Sequence, residues 1–431
     1  MPTSAKAKIA LCLALALPAI TFRVTGYSPN PVLDMFIFGG AVVAASFLLA
    51  WGAEAAQKDI SGALAIALLA LIAVLPEYAV DLYYAFRSGS DPSYEQYAAA
   101  NMTGSNRLLL GFGWPLVVIV ALLVARKARR ASAPGASTTD IAIATRAAGD
   151  DFVDAKGHSL SLGKDVRLDV GFLAILAILA FSIPALGIIP VWLGVVLILI
   201  FVIYLWRASQ VHDEGEEKFV GMAGHIAGLP QRTRRTTVVL LFTCAATIIL
   251  ASAKPFADAL VQSGSSLGID SYFLVQWLAP LASEAPEFIV ALLFALRGMG
   301  AAAIATLIAS KVNQWSLLVG SLPIAHVAGG GTAGLDLDAR QIEEFVLTAS
   351  QTVMGVAIII GLRFHRWSAL ALLALFAVQF FVTDTSGRYV LSVFHIVIAV
   401  AALYINRNNI LPTLIAPFRR PTRPEPESLL V

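Results

Sequence analysis

Apolar residues run through this chain in long blocks with short polar breaks between them. The blocks fall at 9–23, 32–55, 60–86, 97–125, 170–187, 188–206, 236–261, 272–296, 300–328, 344–362, 367–382 and 389–405. A helix of about 20 apolar residues crosses the hydrocarbon of a bilayer, so the blocks predict about 12 spans. Period-two alternation, the mark of barrel strands, is absent from them, and helices are the remaining way to satisfy backbone groups in lipid. The pattern predicts an all-α polytopic membrane protein.

Two blocks carry nearly the same text, 210 positions apart. Pro76, Glu77, Tyr78, Val80, Leu82, Tyr84, Ala85 and Arg87 in the third correspond to Pro286, Glu287, Phe288, Val290, Leu292, Phe294, Ala295 and Arg297 in the eighth. An ionisable group at bilayer depth costs from roughly 2.5 to above 10 kcal/mol, and it marks an ion pathway far more often than an accident. Meeting that cost twice in matched places points to a duplicated ion site. The odd spacing between the two blocks turns the second copy upside down, an architecture in which substrates bind near the midplane between the copies.

Composition narrows the class. Of 431 residues 58% are hydrophobic and 13% charged, and the net charge is +2; mean hydropathy is +0.78. These values describe an integral membrane protein whose partners are the lipid bilayer and inorganic cations, with no nucleic acid and no cofactor expected. Cys12 and Cys244 give no disulfide framework and no metal-ligand spacing. Lys and Arg gather in 126–167, 207–235 and the tail, against Arg23, Arg87, Lys254, Arg340 and Arg388 on the other side. This bias predicts an inner (cell) membrane protein with both termini cytoplasmic. The expected organisation is an extra, signal-like span at 1–31, one five-span unit at 32–206, a polar cytoplasmic linker at 207–235, an inverted unit at 236–382, and an extra span with a basic Pro-rich tail at 383–431. Whether the chain works as a monomer or a homodimer is left open.

Candidate chemistry follows from the acids. Each Pro before a Glu removes a helix hydrogen bond and frees a carbonyl one turn earlier. Glu77 and Asp81 share a helix face at i,i+4, as do Glu284 and Glu287 at i,i+3. Downstream lie Asn101, Gly104, Ser105 and Asn106 in the first copy, and Ala309, Ser310 and Lys311 in the second. Carboxylate, hydroxyl and amide oxygens suit hard cations such as Na⁺, Ca²⁺ or Mg²⁺.

At these residues the chain resembles the cation/Ca²⁺ exchanger superfamily, whose duplicated membrane region carries Pro-Glu in one helix and Gly-Asn-x-x-Gly-Ser-Asn in the next. Pro76-Glu77 followed by Ala100-Asn101-x-x-Gly104-Ser105-Asn106 matches well, while the second copy keeps Pro286-Glu287 and a reduced Ala309-Ser310-Lys311. The resemblance implies ten core helices, a central site and antiport by alternating access. It makes Glu77 and Glu287 the principal metal carboxylates and Ser105 and Ser310 supporting ligands. The chain departs from the family at Leu109 and Gln314, where Asn or Asp is usual, and at the cationic Arg107 and Lys311.

The charges suggest a division of labour in which Arg107 and Lys311 neutralise Asp81 and Glu284, while Glu77 and Glu287 exchange a metal ion against protons. A buried Lys loses its proton readily, which makes Lys311 a coupling candidate. His326 is either a proton relay or a hydrogen-bonded core residue. The expected activity is thus a secondary transporter moving Ca²⁺ or Na⁺, coupled to H⁺, rather than an enzyme. Na⁺/Ca²⁺ exchange without protons is one alternative. A cation channel or an intramembrane hydrolase is another, but an inverted duplication suits alternating access.

Overall fold

A computed structural model describes residues 3–59, 74–131, 153–154, 157–164, 166–211, 219 and 221–419. The first part of the expected span at 60–86, and parts of the 126–167 loop, the 207–235 linker and the tail, lie outside the described residues. Among the described residues the chain is helical, with ten helices long and apolar enough to cross a membrane.

Helix α1 (Thr3–Thr25) precedes α2 (Pro31–Ala56), which starts where Asn30 accepts from the Leu33 N–H and Pro31 occupies the first turn. Such a start satisfies one orphan amide and wastes none on proline. Next come α3 (Leu75–Ser88), α4 (Glu95–Leu108) and α5 (Trp114–Ala131), the last two joined by a π turn at Leu109–Gly113. Then follow α6 (Val166–Leu179), α7 (Ser182–Leu186), α8 (Val191–Val211) and α9 (Gly221–Ala227). The second half holds α10 (Gln231–Leu267), α11 (Ser271–Leu296), α12 (Gly300–Asn313) and α13 (Val319–Ala328). A π turn at Gln314–Leu318 separates α12 from α13. It closes with α14 (Ala339–Ile359), α15 (Arg366–Val378), α16 (Thr385–Ile405) and α17 (Arg407–Ile415). The expected block at 367–382 is a helix of only 13 residues.

Part of the element order recurs in the two halves. A 14-residue helix, a 5-residue π turn and a further helix occur in each. The four short strands pair with the halves exchanged: β1 (Ser159–Ser161) lies antiparallel to β4 (Arg363–His365), and β2 (Ile188–Pro190) to β3 (Gly334–Asp336). Helix packing shows the same exchange, since α6 meets α12 as α14 meets α4, and α8 meets α13 as α15 meets α5.

Small residues set the closest approaches. A Cβ on Gly104 would stand 1.8 Å from the Gln276 carbonyl oxygen, so α4 seats directly on the backbone of α11. Gly194 and Gly320 face each other's carbonyls in the same way between α8 and α13.

Candidate cation site

Glu77 lies in the first turn of α3 with Pro76 beside it, and both it and Asp81 one turn on are buried. Helix α11 runs unbroken through Pro280 and Pro286, and it presents buried Glu284 and half-buried Glu287. Gln314 opens the second π turn, and its Nε2 donates to Glu77 Oε1 at 3.3 Å and to Glu284 Oε1 at 2.8 Å. One amide therefore ties the carboxylates of the two halves together. Turns of this kind re-aim side chains inside helices and concentrate at functional sites.

The remaining contacts extend the cluster. Ser310 Oγ donates to Glu287 Oε2 at 2.7 Å, and Asn101 Nδ2 donates to Asp81 Oδ1 at 2.7 Å. Ser105 is fully buried and close to both Glu77 and Glu284, without completing a well-formed hydrogen bond to either. Tyr78 OH reaches Asn313 Oδ1 at 3.2 Å, an amide the sequence reading missed. Asp81 and Glu287 also lie within electrostatic reach of Glu77. Glu77, Asp81, Glu284, Glu287, Asn101, Ser105, Ser310 and Gln314 thus gather where α3, α4, α11, α12 and the second π turn meet.

Asp81 Oδ2, Glu284 Oε2, Asn101 Oδ1, Gln314 Oε1 and Ser105 Oγ are buried with no donor among the described residues. An unanswered acceptor in a dry interior is costly, and a carboxylate there must be met by a proton or a cation. Among the described residues no three His, Cys, Asp or Glu side chains converge into a ready-made metal shell. A bound ion would have to draw on the amide and hydroxyl oxygens as well as the acids.

The expected charge pairing needs correcting. Arg107 does not face Asp81: its guanidinium pairs with Glu344 at 2.5 Å, donates to Gln379 Oε1 at 3.1 Å, and stacks over Trp277. Arg388 bonds Glu344 as well and meets Glu343 at 2.9 Å, so α4, α14 and α16 are joined by a buried chain of alternating charge. Lys311 makes no direct salt bridge with Glu284, although it stays within electrostatic reach of Glu284 and Glu77. Its Nζ donates to the Asn106 carbonyl at 2.5 Å and to Asn106 Oδ1 at 2.7 Å, which occupies the one Asn106 oxygen expected to serve a cation. Glu343 and Glu344 are the acids that sequence reasoning missed. They sit in the second turn of α14, where they read as ordinary acids near a helix start.

His326 is buried at the far end of α3, its Nδ1 2.7 Å from Ser88 Oγ, away from the acids.

Against known proteins, a family profile described as "Sodium/calcium exchanger protein" matches residues 32–210 and 237–383. Curated proteins give no match. Among solved structures, the crystal structure of an H⁺/Ca²⁺ exchanger, CAX, is similar at 35% identity and a TM-score of 0.85, covering 97% of this chain and 98% of that one. Native YfkE is similar at 14% identity and a TM-score of 0.59, over 89% and 99%. The sodium-calcium exchanger NCX_Mj gives 16% and 0.51, over 82% and 100%. These last two likenesses speak for the fold alone. With the profile matching both halves and nearly the full length shared with CAX, the chain belongs to the sodium/calcium exchanger protein family.

Proposed function

We propose that the protein is a Ca²⁺/H⁺ antiporter of the cell membrane, with Glu77 and Glu287 as its principal cation carboxylates. The observation that carries this reading is the set of buried, unanswered oxygens around Glu77 and Glu284, tied to both halves through Gln314. Such a set is tolerable in two states, protonated or metal-bound, and moving between them releases or takes up protons. The 35% identity to an H⁺/Ca²⁺ exchanger supports the choice of ions.

The exchanged pairing of strands and helices supports two inverted five-span units at 32–206 and 236–382, with the site where they meet. Inverted units of this kind rock against each other about a midplane site. The distribution of Lys and Arg supports cytoplasmic termini. Asp81 with Asn101, and Glu284 with Ser105, complete the oxygen set, while Lys311 and Arg107 hold α4 in place.

Proton release on metal binding tests the site directly. Ca²⁺ added to the detergent-solubilised protein in weak buffer should release protons, and Glu77→Gln and Glu287→Gln should release none. Ca²⁺ binding with no proton release in the unmodified protein would contradict the proposal.

A further inference from the structure

A polar cavity lies between α1, α2 and α10. It has a volume of about 240 Å³ and is lined by Arg23, Tyr27, Ser28, Asp34, Lys254 and Asp258, among others. That is room for about eight waters at about 30 Å³ each, enough for an organic group rather than a single ion. Asp258 is committed, since Tyr83 OH donates to it at 2.7 Å and Lys254 Nζ at 2.6 Å. Asp34 is not. It is 7% exposed, Ser28 bonds its Oδ2, and its buried Oδ1 accepts nothing among the described residues. Arg23 stands exposed on the same cavity, in the last turn of α1.

The lining thus offers exposed cations beside a buried acceptor that lacks a donor. A metal ion fits this poorly, because Arg23 and Lys254 oppose it. A group carrying both a phosphate and an N–H donor fits it well: the guanidinium takes the phosphate in charge-assisted bonds, and the Asp34 carboxylate, which lines the cavity, takes the ammonium. Beside Asp34 on α2, Leu33 and Phe36 are exposed apolar side chains, and Val24 is exposed next to Arg23. Apolar surface next to a polar cavity near the ends of two spans is what an acyl chain and its head group cover together. We propose that this cavity is a specific site for the head group of an aminophospholipid of the phosphatidylethanolamine type, wedged between α1 and the α2–α10 pair.

The experiment compares thermal unfolding of delipidated full-length protein with added phosphatidylethanolamine, phosphatidylcholine, or free phosphoethanolamine. Phosphatidylcholine keeps the phosphate but has no N–H donor. Phosphatidylethanolamine should raise Tm well above phosphatidylcholine, and Arg23→Gln or Asp34→Asn should weaken its apparent affinity about tenfold, as expected for one charge-assisted contact. Free phosphoethanolamine acting as well as the lipid would replace the lipid by a soluble zwitterion as ligand and overturn the proposal. So would equal shifts with both lipids. Should either variant fail to fold, native mass spectrometry of the unmodified protein gives the same decision: preferential retention of phosphatidylethanolamine supports the site, and equal retention of both lipids refutes it.

Discussion

A carboxylate buried as completely as Glu344 needs a cation, and it has two, Arg107 from α4 and Arg388 from α16. With Glu343 included, this chain neutralises itself and lends no charge to the carboxylates around Glu77. Breaking a buried pair from one side strands a charge, so Arg107→Met should destabilise by about 3–5 kcal/mol. The double variant Arg107→Met with Glu344→Met should recover much of that loss, as measured by thermal unfolding in detergent. Lys311 is different: its Nζ donates to two Asn106 oxygens and lies within electrostatic reach of Glu284 and Glu77. Lys311→Gln should therefore change the pH dependence of Ca²⁺ transport while leaving a folded protein. An unchanged pH profile would remove Lys311 from coupling.

Among the elements, α4 is the most constrained, because it carries Asn101, Ser105, Asn106 and Arg107 and lies on α11 through Gly104. The 1.8 Å separation leaves no space for a methyl, and the obstacle is backbone rather than a flexible side chain. Gly104→Val should cost more than about 4 kcal/mol or prevent folding, read as loss of the monodisperse peak on size exclusion. At the end of α2, Asp59 accepts from Arg234 at 2.6 and 2.7 Å, and that partner holds its carboxyl down at about 2. The folded value lies below the unfolded value of about 3.9. The pair thus adds stability above about pH 4 and loses it as pH falls toward 2. Asp59→Asn should lower Tm at pH 7, and the difference from the unmodified protein should shrink over that acid window. The duplicated Pro-Glu text and the long helices were both legible in the sequence, because each is a local pattern with one physical reading. The destinations of Arg107 and Lys311 were not. Both sit on the site helices, and only the three-dimensional approach of α14 brings Glu344 to Arg107. The π turn that swings Gln314 onto Glu77 and Glu284 leaves no local signature either, since it depends on packing against the opposite half.

For the molecule as a whole, strands and helices exchange partners between the halves, and Gln314 bonds an acid from each. On the proposed antiport reading, an ion bound there would be held by both halves at once, and a relative rocking of the two would open it to one side or the other. Antiport follows if the empty site crosses only when its carboxylates carry protons, because an uncompensated charge is costly at that depth. The central measurement uses protein reconstituted in proteoliposomes, with Ca²⁺ uptake and internal pH followed together under imposed gradients of H⁺, Na⁺ or K⁺. The result expected is Ca²⁺ movement driven by the H⁺ gradient alone, with opposite proton flux, and none in Glu77→Gln or Glu287→Gln. Ca²⁺ movement driven by Na⁺ with no change in internal pH, or persisting undiminished without either carboxylate, would contradict it.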